Sequence, residues 1–171
     1  MTLLVTEAVV LHVFDYLESS RIFRLVTREA GVRSVLARGA RRSQRRFGSA
    51  LDLFAGGIAE LHTKAGRELD TLGGFEVTVA RPQLAEELSR FAGASAIAEL
   101  TLRFGHDGAD PGLFEAVVSA LDAIGSAGAD SAREAALAGA WRIITELGFG
   151  PTVDSCSECH AAIGPADRSS G

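Results

Sequence analysis

Hydrophobic and polar residues follow two different periods along the 171-residue chain. Up to residue 80, short runs rich in Val, Ile, Leu and Phe are separated by turn-forming stretches such as DYLESS and REAG, a pattern typical of β-strands. These runs are TEAVVLHVF, RIFRLVT, VRSVLARG, ALDLFAGGIAELHT and ELDTLGGFEVTV. The second and third are expected to form a hairpin, with Gly31 at a positive φ.

The last two strand runs each contain a glycine pair, Gly56-Gly57 and Gly73-Gly74. Glycines inside strands mark bulges or sharp bends, which allow a small sheet to curl closed. Five strands of this kind predict a Greek-key barrel over residues 1–80, most simply an OB-fold.

After residue 80 the period becomes helical. A first helix is predicted from Pro82, with one apolar face made of Leu84, Leu88, Phe91, Ala98 and Leu102. A second begins near Pro111 and buries Leu113, Val117, Leu121 and Ile124. For the third, Ser131 and Glu134 suggest a capping box, and the predicted buried residues are Leu137, Trp141 and Ile144. The predicted α+β chain thus comprises a β-barrel at 1–80, a helical bundle domain at 81–149 and a tail at 150–171.

Composition narrows the class of protein. Hydrophobic residues make up 47% of the chain, enough for a buried core, and no apolar run reaches the length of about 18 residues that a membrane span needs. The opening stretch lacks the features of a signal peptide, and the two cysteines fit a reducing compartment. We therefore expect a cytoplasmic protein with no membrane partner.

Charge is distributed unevenly. The formal net charge is −5, but residues 1–80 carry a balance of +2 and residues 81–171 a balance of −7. Residues 21–46 hold nine arginines and one acid, Glu29. Such a segment can bind a polyanion even in an acidic protein.

Five arginines in nine positions form what we call the arginine run: Arg38, Arg41, Arg42, Arg45 and Arg46. In a helix or turn this spacing gathers them on one side, and guanidinium groups match phosphate oxygens and stack on bases. A solvated surface loop is the alternative, but ordinary surfaces mix both signs of charge. The pattern favours contact with a nucleic-acid backbone.

The aromatic rings divide into two groups. Phe14, Phe23, Phe54 and Phe75 are expected in the core, which leaves Tyr16 and Phe47 to stack on bases.

Cys156 and Cys159 form a C-x-x-C pair, which is half of a four-ligand zinc site. His160 is a third candidate ligand, although its place next to Cys159 makes convergent geometry difficult. The same residues match the haem motif C-x-x-C-H, but the chain has no export signal and Met1 is its only methionine. No serine hydrolase, Walker or zinc protease motif occurs, so we expect no enzyme, no catalytic residue and no firm cofactor.

Five motifs carry a family resemblance. They are a T-E-A-hydrophobic opening at 6–9, a D-Y-x-E-S-S-R turn at 15–21, a T-x-x-x-G hairpin at 27–31, A-R-G-A-R-R at 37–42 and R-F-G at 46–48. Together they closely resemble the amino-terminal domain of the RecO family of recombination mediators. The helical part matches more loosely, through SAIAELTLRF, DPGLFEAVVSALDAI and ELGFGPTVDSCSEC.

The resemblance implies non-catalytic work in DNA repair by a nucleoid-associated protein. RecO proteins bind single- and double-stranded DNA through the OB-fold, anneal complementary strands, and act with RecR to load RecA onto DNA coated by single-strand binding protein. They also bind the C-terminal tail of that protein through the helical domain. Carried over to this chain, DNA contact falls on the arginine run, with Arg21, Arg24 and Arg33 as weaker candidates.

The resemblance also bears on the cysteine pair. Many RecO proteins have a second C-x-x-C downstream that completes a zinc site, so we expect that this chain is either truncated relative to the family or has lost the site.

Two alternatives to a mediator stay open. They are a generic OB-fold module that binds single-stranded nucleic acid and a pure protein-interaction adaptor. Only the mediator is expected to bind RecR and the tail.

Overall fold

The computed structural model describes residues 1–40, 51–64, 66 and 68–163. The strands are β1 (Thr2–Tyr16), β2 (Ser20–Thr27), β3 (Gly31–Ala37), β4 (Gly56–Thr63) and β5 (Leu69–Val79). A short 3-10 helix at Pro82–Leu84 leads to α1 (Leu88–Phe104), α2 (Pro111–Ser126) and α3 (Ala132–Glu146). The change from strands to helices therefore lies where the change of period predicts it.

The five strands pair in the order β1-β2-β3-β5-β4, and β4 returns to pair with β1. Only the β3–β5 pairing is parallel. Gly31 opens β3 at φ 65°, as the predicted hairpin requires. The prediction of a five-stranded, OB-like sheet followed by helices is confirmed.

Both glycine pairs occur at irregularities of the β4–β5 ladder. The register shifts between Gly56 and Gly57, and again where Glu60 pairs with Gly74 but Leu61 pairs with Leu72. A Cβ on Gly57 would lie 1.9 Å from the Glu76 carbonyl oxygen, so this position cannot accept a side chain without movement of the backbone. The bulges increase the local twist and help the sheet to close.

Two hydrophobic cores stabilise the fold. The interior of the sheet is filled by residues such as Ala8, Val10, Phe23, Leu25, Val35, Leu61 and Phe75. The second core joins the outside of the sheet to the helices, and its members include Val9, Leu11, Val26, Phe54, Ile97, Val117, Leu121 and Ile143. Since β1 supplies residues to both, the strands and the helices pack as one continuous structure.

The packing face of α2 is predicted correctly, because Leu113, Val117, Leu121 and Ile124 are all buried. The prediction for α1 is wrong in its start and in part of its face. This helix begins at Leu88, capped by the Glu87 carboxylate, and Leu88 is 80% exposed. Pro82 belongs to the preceding 3-10 helix, so α1 begins six residues later than the sequence pattern predicts.

The predicted face of α3 is also wrong. Leu137 and Trp141 are 63% and 52% exposed, whereas the buried residues are Ala132, Gly139 and Ile143. A Cβ on Gly139 would lie 2.6 Å from that of Ala120, so α3 approaches α2 through small residues. Ser131 is the N-cap, but its side chain caps no backbone N–H, which contradicts the predicted capping box.

Candidate nucleic-acid interface

One outer face of the sheet carries aromatic and basic side chains together. The β1–β2 register places His12 opposite Arg24, and Phe14 opposite Ile22. Opposite residues project to the same face of a sheet, as do alternate residues of one strand. Three side chains therefore follow one another along the outside of β1, and we call them the aromatic row: His12, Phe14 and Tyr16.

The aromatic row is accessible to solvent. Phe14 is 45% and Tyr16 43% exposed, and His12 is also exposed. The rings of His12 and Phe14 lie 4.2 Å apart between centroids at an interplanar angle of 56°. Contact with the imidazole restricts the Phe14 ring while part of its surface stays open.

Phe14 projects to the outside of the sheet, so its predicted place in the core is wrong. Ala8 and Val10 point into the sheet, and strict alternation would send residue 14 the same way. A bulge between Val10 and His12 reverses the alternation, so Phe14 projects outward. Phe23, Phe54 and Phe75 are buried as predicted, and Phe47 lies outside the described residues.

The arginine run begins at the end of the sheet where the aromatic row finishes. Ala37, the last residue of β3, pairs with Arg21, which in turn pairs with Asp15, the neighbour of Tyr16. Arg38 follows directly and is exposed. Arg41, Arg42, Arg45 and Arg46 lie outside the described residues, so their predicted role is carried by the sequence alone.

The three weaker candidates are engaged by other groups to different degrees. Arg21 Nε lies 3.1 Å from Asp15 Oδ1 in a solvent-exposed pair, and Arg24 Nη2 donates to the Leu102 carbonyl oxygen at 3.4 Å. Such contacts are weak and can be exchanged for a phosphate.

Arg33 differs from the other two because its carboxylate partner is buried. Its Nε donates to Asp70 Oδ2 at 2.8 Å, the Asp70 side chain is only 1% exposed, and Asp107 lies 3.5 Å from its Nη1. Because one carboxylate is buried, the pairing fixes the Arg33 guanidinium to its own protein. DNA contact by Arg33 stays a prediction, ranked below contact by Arg38.

The cysteine pair occupies a tight turn closed by the bridge between Ser155 and Ala162. Hydrogen bonds from the backbone N–H groups of Cys159 and Glu158, and from the Cys159 side chain, lower the pKa of the Cys156 thiol. A lowered pKa favours the thiolate that binds metals. Among the residues that the structure describes, however, no three potential ligands come together, so the turn provides half of a zinc site.

Comparison with known protein families gives a consistent result over the chain. Residues 1–81 match the family model described as Recombination protein O N terminal, and residues 85–171 match Recombination protein O C terminal. Within the described part of the chain, no helix is long and apolar enough to cross a membrane.

Individual relatives agree. The DNA repair protein RecO of Geobacter sulfurreducens is 36% identical over 162 residues, which cover 94% of this chain and 65% of that protein. The RecO proteins of Anaeromyxobacter sp. (strain Fw109-5) and Syntrophotalea carbinolica are 38% and 34% identical over 93% and 92% of this chain, and over 62% and 60% of their own lengths. The chain therefore spans somewhat less than two thirds of the length of these relatives.

Proposed function

The chain belongs to the RecO family of DNA repair proteins, and from that membership we propose that it is a non-catalytic recombination mediator. The resemblance carried by its opening motifs is thereby confirmed. In the proposed role the protein binds single- and double-stranded DNA, anneals complementary strands, and helps to load RecA onto single-stranded DNA coated by single-strand binding protein.

The observation that carries the proposal is the meeting of the aromatic row and Arg38 at one end of the OB-like sheet. Arg38 opens a run of five arginines within nine residues, and no acid interrupts them. Phosphate contacts by arginine supply most of the affinity of sequence-independent DNA binding. Residues 81–171, which comprise the helices and the tail, carry the opposite balance of −7, so a DNA strand is attracted to the sheet and repelled from this part of the chain.

Annealing follows from the same charges. Two complementary strands repel each other through their phosphates, and a protein that neutralises phosphates on both of them lowers this repulsion. Base pairing then supplies the free energy of the product. The proposed role requires no catalytic residue, since the protein only brings the strands together.

The proposed protein partners are RecR and the C-terminal tail of single-strand binding protein, the latter on the helical domain. Binding of purified RecR and of a tail peptide separates a mediator from a generic OB-fold module, which binds DNA alone. Zinc enters the proposal only as an ion held in part by Cys156 and Cys159.

The proposed activity is tested by the annealing rate of two complementary oligonucleotides that carry a donor and an acceptor dye. Alanine substitution of Arg41, Arg42 and Arg45 should slow annealing by about tenfold or more at moderate salt, because three phosphate contacts are lost. A matched control removes three exposed arginines from the helices, Arg103, Arg133 and Arg142, and should leave the rate within about twofold of wild type. Equal slowing by both triple variants would contradict a specific role for the arginine run.

A further inference from the structure

We propose that the aromatic row is a stacking site for the unpaired bases of single-stranded DNA. This inference rests on the proposed function, because it assumes that a DNA strand is brought to this end of the sheet. It adds a second kind of contact, to bases, beside the phosphate contacts of the arginine run. It also predicts that the protein distinguishes single strands from duplexes, whose bases are stacked and unavailable.

The geometry of the row suits a single strand. Side chains two residues apart on a strand are separated by about 6.6 to 6.8 Å, and all three members of the row project to one side. The His12 and Phe14 rings, 4.2 Å apart between centroids, form one stacking surface and Tyr16 forms a second, so the row can take two bases of an unstacked chain. Base stacking on aromatic rings is independent of sequence, as a strand-annealing protein requires.

The surroundings of the row are apolar at its centre and basic at its edges. Phe14 is opposite Ile22, which is opposite Leu36, and both aliphatic side chains are partly exposed. Beside this apolar strip, Arg24 is opposite His12, and Arg38 follows the end of β3. A strand whose bases contact the rings would thus have cations within reach of its phosphates.

Charge complementarity decides between a nucleic acid and an apolar peptide as the occupant. At this end of the sheet Asp15 is already paired with Arg21, and the exposed Arg38 follows the last residue of β3. An exposed apolar strip bordered by an excess of arginine matches a ligand with flat apolar faces and a polyanionic backbone. Single-stranded DNA has both properties.

The test uses the full chain and two labelled oligonucleotides of equal length, oligo(dT) and an abasic strand with the same phosphates. Wild type should bind oligo(dT) more tightly than the abasic strand, by roughly 5- to 150-fold for each stacked base. In a double variant, Phe14→Leu with Tyr16→Leu, most of the preference should be lost because only the His12 imidazole of the row remains, while binding to the abasic strand stays unchanged. Leucine keeps the apolar surface but removes the aromatic rings, and both positions are exposed, so the fold should tolerate it.

Trp141→Leu is the matched control, since Trp141 is an aromatic residue of similar exposure on α3. It should leave the preference for oligo(dT) intact. A second measurement uses Trp141→Phe, in which Tyr16 is the remaining fluorophore of the tyrosine and tryptophan class because the chain has one of each. Oligo(dT) should quench Tyr16 emission, and the abasic strand should not.

The possible outcomes separate the two proposals. If wild type binds neither oligonucleotide, the proposed function fails. If wild type binds both but the leucine double variant keeps the preference for oligo(dT), the stacking site is refuted and the proposed function stands. The stacking site is also refuted if the double variant loses a peptide partner while its preference for oligo(dT) is unchanged.

Discussion

Arg81 joins the sheet to the helices, and its removal should have a different effect from removal of its partner. Its side chain is 2% exposed, Nε lies 2.7 Å from Asp122 Oδ1 on α2, and Nη1 donates to the Phe54 carbonyl oxygen at 3.0 Å. The Asp122 side chain is 54% exposed. One guanidinium thus connects the end of the sheet, the β3–β4 connection and a helix.

The expected loss in free energy of unfolding depends on which polar groups each substitution leaves without a partner. Arg81→Met leaves the Phe54 carbonyl without its donor and exposes the Asp122 carboxylate to water. This substitution should destabilise the protein by about 2 kcal/mol. Asp122→Ala leaves a buried guanidinium without its carboxylate and should destabilise the protein by about 3 kcal/mol. This value is at the lower end of the range for breaking a buried ion pair, because water reaches the half-exposed site. The double variant should lose about 2 kcal/mol and not the sum of about 5, since without Arg81 the carboxylate contributes little.

Urea unfolding of the four proteins, followed by circular dichroism, measures these differences. A single transition is expected for wild type, because both cores meet at β1. In thermal unfolding each kcal/mol corresponds to about 2 to 4 °C for a chain of this size. Additive losses in the double variant, or a smaller loss for Asp122→Ala than for Arg81→Met, would refute this account of the pair.

Three further predictions concern stability. In urea unfolding, Gly31→Ala should destabilise the protein by at least about 2 kcal/mol more than Gly39→Ala. Both residues have a positive φ, but only at Gly31 would a Cβ meet backbone oxygens, at 2.3 and 2.4 Å. Equal losses of stability would contradict the close approach of the 106–108 segment to Gly31. Arg33→Ala should destabilise the protein by about 3 to 5 kcal/mol because it leaves the buried Asp70 carboxylate without its guanidinium partner. Because that pair holds the guanidinium, the variant should lower the salt slope of DNA binding by less than Arg38→Ala does, and a larger drop for Arg33→Ala would contradict this ranking. Hydrogen bonds from the Ser89 and Arg90 N–H groups lower the pKa of Glu87. The contribution of the Glu87 carboxylate to stability is therefore present at neutral pH and is lost as the pH falls through the folded pKa. The stability difference between wild type and Glu87→Gln should shrink in acid, and a constant difference would contradict the cap.

The sheet could be predicted from the sequence because its signals are local. Strand runs, turn residues and the two glycine pairs each report on a few neighbouring positions, and the structure has five strands and the bulges there. The run ALDLFAGGIAELHT is the exception in its first part, because Leu53 and Phe54 form a turn and β4 begins at Gly56. The outward turn of Phe14 could not be predicted in the same way. It depends on a bulge between Val10 and His12, and that bulge is defined by pairing with β2.

The helical faces show a second limit of sequence patterns. A hydrophobic pattern gives most weight to large side chains, and so it selects Leu137 and Trp141 as the buried face of α3. The helix packs instead through Gly139, whose lack of a side chain permits close contact with Ala120. The same limit applies to the candidate site, where the arginine run and Tyr16 are identified from the sequence but the alignment of Tyr16 with His12 and Phe14 is visible only in the folded sheet.

The central claim, that the arginine run binds the phosphates of single-stranded DNA, is tested most directly by titrating a labelled oligonucleotide at several salt concentrations. Five phosphate contacts predict that the logarithm of the binding constant falls with the logarithm of salt at a slope near −3.5, at about −0.7 per phosphate. Alanine at Arg41, Arg42, Arg45 and Arg46 should reduce this slope to about −0.7, with Arg38 remaining. An unchanged slope and affinity in the quadruple variant would contradict the claim.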